Sequence, residues 1–332
     1  MSKCKLSVVI TIRPGHSWTG LIIAVLMVFS SESSAQSPPF DEIRDEILES
    51  VGPDRLGAGY SALVNFAASP DISAATYDSD DADSTLNIYK LPYRHVFNHD
   101  KEGWRPFIQA LLSYQSIDSD FAATEDESID SEWTAYGGSL SGGVEIPLTG
   151  DLTFLPAVNA SLVRLENSAD YYGDVMNDFI KPALTGVVFD WDADAYLVGA
   201  SIALDYKHGF SSFDFETRGS LTYNHIETYD SSSEFVDFSS SITTFDLEIS
   251  SIHPIGKSIR NYPLALVVLA GNTTFLGPDS DALGFEYFYE AGLGLEADIS
   301  SKGWQFKRVR LGLTGIIGGD VTGWSVIFGF RH

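Results

Sequence analysis

Along most of this chain apolar residues recur at every second position, the period of a half-buried strand. Twelve such runs fall at approximately 57–66, 84–97, 103–116, 133–146, 151–165, 193–206, 211–227, 234–251, 260–274, 284–298, 303–317 and 321–330. In the sixth, Tyr196, Val198, Ala200, Ile202, Leu204 and Tyr206 share one face; Gly199, Ser201, Ala203 and Asp205 share the other. The tenth sets Phe285, Tyr287, Tyr289, Ala291, Leu293 and Leu295 against Glu286, Glu290, Glu296 and Asp298. The eleventh sets Val309, Leu311, Leu313 and Ile317 against Arg308, Arg310 and Thr314. One stretch departs from period two. In residues 40–52, Ile43, Ile47, Leu48 and Val51 stand at helical spacing, and Gly52-Pro53 ends the pattern.

A soluble sandwich and a transmembrane barrel both produce period two. The links separate them. The first, third, fifth and seventh, 67–83, 117–132, 166–192 and 228–233, are mostly long and carry acids such as Asp78, Asp80, Asp81, Asp83, Glu125, Asp126 and Glu127. The alternate links, 98–102, 147–150, 207–210, 252–259 and 299–302, are short and contain Lys101, Lys207, Lys257 and Lys302. The late links 275–283 and 318–320 follow this contrast less closely. Long loops on one side and tight turns on the other belong to outer-membrane barrels. The fold expected is all-β: a twelve-stranded antiparallel transmembrane β-barrel over 57–330, with a short helical segment over 36–56 before it. An even strand count returns both termini to the periplasmic side. Tyr89, Tyr93, Trp104, Trp133, Tyr206, Phe213, Tyr223, Trp304 and Trp324 fall near strand ends, where interfacial girdles form.

The first 35 residues fit a cleaved signal peptide. Lys3, Lys5 and Arg13 precede an apolar run from Trp18 to Phe29, and Ser33-Ser34-Ala35 supplies small residues for cleavage before Gln36. The single cysteine, Cys4, leaves with this segment, so the mature chain has no thiol to cross-link in an oxidising compartment. No later apolar stretch is long enough to span a bilayer as a helix; Leu264 to Gly271 is the best candidate. The chain carries a net charge of −26, and losing the leader, with three basic residues and one acid, leaves about −28. Such acidity excludes a nucleic-acid binder, which needs basic surface. The 44% apolar and 13% aromatic content excludes a disordered chain.

The last run ends Gly323-Trp324-Ser325-Val326-Ile327-Phe328-Gly329-Phe330, with Trp324, Val326, Phe328 and Phe330 on one face. It resembles the C-terminal strand by which barrels are recognised by their assembly machinery, extended here by Arg331 and His332. Twelve strands, a helix over Asp41 to Ser50 and this Phe-ended strand make residues 40–330 similar to the translocator barrel of autotransporters. About 20 residues separate leader and barrel, which leaves no passenger, so the family resembled is the solitary autotransporter-like barrel. That resemblance implies a non-enzymatic outer-membrane protein of a Gram-negative bacterium. Its barrel would be sealed or narrowly porous, and the helix would plug the lumen or lie in the periplasm. Outer-membrane lipid, lipopolysaccharide and the assembly machinery would be its partners; it would be a monomer without cofactor.

Candidate chemistry is sparse. His208-Gly209-Phe210-Ser211 is the nearest approach to a phospholipase-like His and Ser, but sits in a turn on the inner side. His95, His99 and His253 also fall near inner strand ends; His225, on an outer half-strand, is the general base that a barrel enzyme, lipase or protease, would use. Asp78, Asp80, Asp81 and Asp83 lack the register of a calcium loop and read as solvated surface. Inner-face charges form two groups. Arg308 and Arg310 would face Glu286, Glu290 and Glu296; Asp214, Glu216 and Arg218 would face Asp246 and Glu248. They would lock the barrel by ion pairing or line an aqueous path. A third reading is a surface receptor or adhesion barrel acting through link 166–192. Its Tyr171, Tyr172, Phe179, Val187, Val188, Phe189 and Trp191 must pack on the barrel mouth or on a partner.

Overall fold

The computed structural model describes residues 74–79, 84–97, 103–122, 126–277, 280, 285–300, 307–319 and 321–331. Twelve strands form one closed antiparallel barrel: β1 (Ala74–Ser79), β2 (Ser84–Val96), β3 (Arg105–Ala122), β4 (Ser128–Pro147), β5 (Leu152–Tyr172), β6 (Trp191–Gly209), β7 (Asp214–Ser231), β8 (Ser239–Ile259), β9 (Tyr262–Leu276), β10 (Tyr287–Asp298), β11 (Arg308–Gly318) and β12 (Thr322–Arg331). Each strand pairs with its neighbours in sequence, and β1 closes on β12 from Ala74↔Val326 to Asp78↔Thr322. The closed ring leaves no unpaired edge exposed to lipid. The rim where β1 enters and β12 leaves is called proximal, and the opposite rim distal.

Parity along each strand sorts the side chains. On the outward face Val198, Ile202, Leu204, Leu293, Leu311, Leu313 and Ile317 are all exposed, Leu313 to 62%. Their neighbours in sequence are enclosed: Arg310 is 3% exposed and Thr314 is 4% exposed. An apolar outer face over a polar interior is a soluble protein turned inside out, and only a lipid solvent stabilises it. Exposed Tyr89, Tyr93, Trp104, Tyr223 and Trp324 stand on this outer surface. Trp133 does not join them; it points inward, with its ring 5.4 Å from that of Trp191 and packed against the core. Trp304 lies outside the described residues.

Several boundaries differ from the hydropathy reading. β1 occupies part of the presumed first link, and the run 57–66 and the helix at 40–52 lie outside the described residues. Residues 117–122, 128–132 and 166–172 are strand rather than loop. Their outward positions, such as Asp118, Asp130, Glu132, Glu166 and Asp170, are acidic, while Ile129 and Ala169 still turn inward and are buried. Strand pairing therefore continues above the apolar band, where the outer face meets water. β5, with 21 residues, is roughly 70 Å long at about 3.3 Å per residue. A tilt of about 40° leaves about half of its rise beyond a band roughly 25 Å tall. β11, with 11 residues, barely exceeds the band. The wall is thus tall over β3–β8 and low over β9–β12.

Leu313→Arg, in the apolar band, is expected to cost about 2–4 kcal/mol of folding free energy if it lies near the midplane. Asp130→Arg, on the exposed overhang, should stay within about 0.5 kcal/mol. Urea titration of the folded, heat-modifiable gel species in lipid vesicles measures both; equal costs would place the membrane elsewhere.

Candidate functional site

The two ends of the lumen are lined by different chemistry. At the distal end the β5–β6 link, 173–190, turns down into the mouth through a helical turn, Met176–Ile180, that runs into Lys181–Leu184. Met176, Ile180, Ala183, Leu184, Val187, Val188 and Phe189 are each at most 4% exposed. All of these but Ala183 join one core cluster with inward side chains of the wall, among them Tyr77, Ile88, Ile129, Leu165, Ile226 and Phe288. Burying each large apolar side chain contributes about 1.5–3 kcal/mol before the entropy of ordering the segment is charged against it. The link 166–192 therefore spends most of its apolar residues on the barrel mouth: Tyr171 and Trp191 are also buried, while Tyr172 is exposed. The side chain of Phe179 lies outside the described residues.

Polar contacts tie this segment down. The Glu127 carboxylate accepts from the backbone N–H groups of Val175 and Met176 at 3.3 and 3.0 Å, meeting donors that open a helical turn. It lies against Gly173, which has φ +96°; a Cβ there would collide with that carboxylate. Asp190 accepts from the backbone N–H of Ala169 at 3.1 Å and from the Thr185 hydroxyl at 3.1 Å. Ser233, from the β7–β8 link, donates to the Gly186 carbonyl.

The proximal half holds ionic layers. Glu296 on β10 is 3% exposed and receives three guanidinium hydrogen bonds: from Arg310 Nε and Nη2 at 3.1 and 2.9 Å, and from Arg308 Nη1 at 3.1 Å. The same arginines reach across the lumen. Arg308 stands 3.7 Å from Asp214 on β7; Arg310 stands 3.9 Å from Glu216 on β7 and 4.0 Å from Glu248 on β8. The two charge groups read from the sequence are therefore one network, spanning strands that are not neighbours. Arg218 pairs with Asp205 on β6 at 3.5 Å, and Asp246 accepts from Thr273 on β9 at 2.9 Å. Two residues fall elsewhere. Glu286 is exposed at the distal rim before β10 begins, because Phe285 turns in to pack on Phe275 and Phe288. Glu290 lies higher on β10 than Glu296, level with Gly271 and Ile316.

A second ionic group has no counterpart in the sequence reading. Glu145 on β4 accepts Arg94 from β2 at 2.6 Å and Arg105 from β3 at 2.9 Å, and Arg94 lies 4.1 Å above the Phe107 ring. The parity of strands two and four marks Arg94 and Glu145 as inward. What parity does not say is that they bridge over β3. Outside the wall, Arg164 meets Glu166, Asp192 and Asp194 at 2.7, 2.9 and 3.2 Å, beside a cavity of about 470 Å³.

The histidines are spread out. His208 bonds Asp151 at 2.7 Å at the proximal turns, His253 lies 3.1 Å from Ser251, and His225 faces outward on β7 beside Ser241. His99 lies outside the described residues, as do Asp80, Asp81 and Asp83. Among the described residues no group of three or more His, Cys, Asp or Glu is placed to hold a metal ion. On β12, Trp324 and Phe328 face outward.

A family model for the solitary outer membrane autotransporter β-barrel domain matches residues 63–332. The chain belongs to that family. Among solved structures it is similar to the transport unit of the autotransporter AIDA-I from Escherichia coli, at 10% identity and TM-score 0.50, covering 84% of this chain and 99% of that one. It is also similar to the translocator domain of NalP from Neisseria meningitidis, at 12% identity and TM-score 0.48, covering 78% and 85%. The β domain of the Bordetella autotransporter Brka matches at 14% identity and TM-score 0.47, covering 78% and 95%. At these identities the likeness is one of fold. No curated protein sequence matches the chain. Family and fold together make it an autotransporter-like outer-membrane barrel.

Because Arg310 and Glu296 are both 3% exposed, Arg310→Met should destabilise the barrel by about 3–5 kcal/mol, leaving a buried carboxylate with less compensation. Adding Glu296→Leu should recover most of that loss. Urea midpoints in vesicles read both; a single variant as stable as the parent would show the pair to be dispensable.

Proposed function

We propose that this chain is a barrel sealed at rest, or at most a narrow pore, whose lumen is a structural and non-catalytic fill. Burial of the 173–190 segment in the barrel mouth carries this reading. The segment supplies an apolar stopper at one end, and the Glu296 and Glu145 networks cross-brace the other. Ion pairs satisfied within the wall need no substrate, which favours locking over an aqueous path. A role of the N-terminal helix at 40–52 as plug becomes unnecessary on this reading, since the chain carries a stopper between β5 and β6.

The distal rim then faces outward, because its overhanging strands carry the acidic surface, and both termini face the periplasm. Residues 1–35 act as the cleaved leader and 36–56 as a periplasmic or lumenal lead-in to the barrel. The strand carrying Gly323, Trp324, Val326, Phe328 and Phe330 serves as the assembly signal. Outer-leaflet lipid and lipopolysaccharide surround a monomer. A receptor or adhesion role through 166–192 is disfavoured, since most of its described apolar side chains are turned inward, with Tyr172 and Val175 left exposed.

Planar-bilayer recording tests the reading. The intact protein should give little or no conductance. Replacing residues 174–189 by a short Gly-Ser linker should open stable channels, whereas deleting 40–52 alone should leave the current near its resting level. Robust conductance by the intact chain, or silence after the replacement, would overturn the sealed-barrel reading.

A further inference from the structure

On the outer wall, near the distal edge of the apolar band, three side chains of β7 and β8 stand in the order that acyl transfer needs. His225 and Ser241 are directly paired across the two strands. Odd-numbered positions face outward here, since Asn224, Ile226, Ile242 and Thr244 are buried. Ser241 Oγ lies 3.1 Å from His225 Nδ1. Tyr223 donates its hydroxyl to Ser241 Oγ at 3.0 Å, so the serine's own hydrogen is left for the imidazole. His225 Nε2 lies 3.8 Å from Glu227 Oε2, an electrostatic contact that favours the proton on Nε2 and the lone pair on Nδ1. Glu227 is in turn fixed by the Tyr196 hydroxyl. A nucleophile in reach of a base, with the base oriented by a third group, is the arrangement of an activated hydroxyl.

Its height on the wall selects the substrate. Below this row the outer surface is apolar, with Leu221, Tyr223, Phe245 and Ile202 exposed; Val198 shares the row with His225. Directly above stand Glu227 and Tyr196. The surface therefore changes from apolar to charged at Ser241, which is the depth at which lipid ester bonds meet the headgroup layer.

We propose that Ser241, His225 and Glu227 form an acyl-ester hydrolase site on the outside of the barrel, acting on membrane lipids at the distal interface. Ser241 Oγ attacks the ester carbonyl carbon as its proton passes to His225 Nδ1. The bond from that carbon to the alcohol oxygen breaks, and the leaving oxygen takes the proton from His225. Water then attacks the acyl-serine and gives a proton to His225; the carbon–Oγ bond breaks, and the proton returns to Ser241. The products are a free fatty acid and the deacylated lipid. Glu227 balances the imidazolium that forms in each half-reaction. The site lies outside the lumen, so it goes beyond the sealed-barrel reading and does not depend on it.

The test uses the full chain refolded in two sets of vesicles, one of phospholipid with labelled acyl chains and one containing lipopolysaccharide, with free fatty acid as the readout. The folded protein should release fatty acid from at least one set, and the set that responds identifies the source of the ester. Ser241→Ala and His225→Ala should each lower release at least about 100-fold, and Glu227→Gln should lower it less. Heat-modifiable migration checks that each variant is folded. A fluorophosphonate probe, read by peptide mass spectrometry, should label Ser241 in the unaltered chain, which keeps the test independent of variant folding. No release from either lipid, no label on Ser241, or a folded Ser241→Ala protein that keeps its activity would overturn the proposal. Bilayer conductance is a separate measurement, so failure of one reading leaves the other standing.

Discussion

Every backbone N–H and C=O inside hydrocarbon must find a partner within the protein, and water is not there to help. Closure of β1 on β12 meets that demand for the whole ring, and the rest of the molecule follows from it. Once the sheet is closed, one set of alternate side chains has only lipid to face and the other has only the lumen. Leu311 and Leu313 stabilise the protein by staying exposed, while Arg310 beside Leu311 must be paired because no solvent reaches it. The inversion of inside and outside is a consequence of closure rather than a separate device.

A twelve-stranded ring also encloses a lumen. Side chains enter it in two ways, each suited to its level. At the distal mouth the β5–β6 link is long enough to fold back, and its apolar residues find the apolar inward faces of the overhanging strands. Deeper, where β7, β8, β10 and β11 carry charges, guanidinium groups bridge carboxylates on several strands at once. Arginine is well matched to such bridging, because its planar fork gives several donors in fixed directions and one side chain ties two or three strands. A lysine at position 310 would offer a single point charge and could not satisfy the same set of carboxylates.

The tall wall over β3–β8 gives the molecule an asymmetry that bears on function. It carries acidic outward residues beyond the apolar band and raises the distal rim on one side. At the foot of that overhang the outer surface changes polarity, and polar side chains such as Tyr136, Tyr196, Tyr223, His225 and Ser241 meet there. The lumen and the outer wall are thus separate chemical territories divided by one sheet, and what is inferred for one does not constrain the other.

Much of the ring was legible in the sequence. Alternation is a local property, so the twelve-stranded antiparallel order and the parity of Leu311, Arg310 or Ile202 were legible residue by residue, although β1 at 74–79 fell in a stretch read as a link. It misplaced strand ends at 117–122, 128–132 and 166–172, because pairing outlasts the apolar band and outward Asp and Glu look like loop. Which side chains cross the lumen was not legible there. That Arg310 reaches Glu216 and Glu248 as well as Glu296, that Arg94 and Glu145 meet over β3, and that Val187 and Phe189 pack against the inner wall depend on which strands the curvature of the closed sheet sets opposite one another. Curvature is a property of the whole ring, and no short stretch of sequence encodes it.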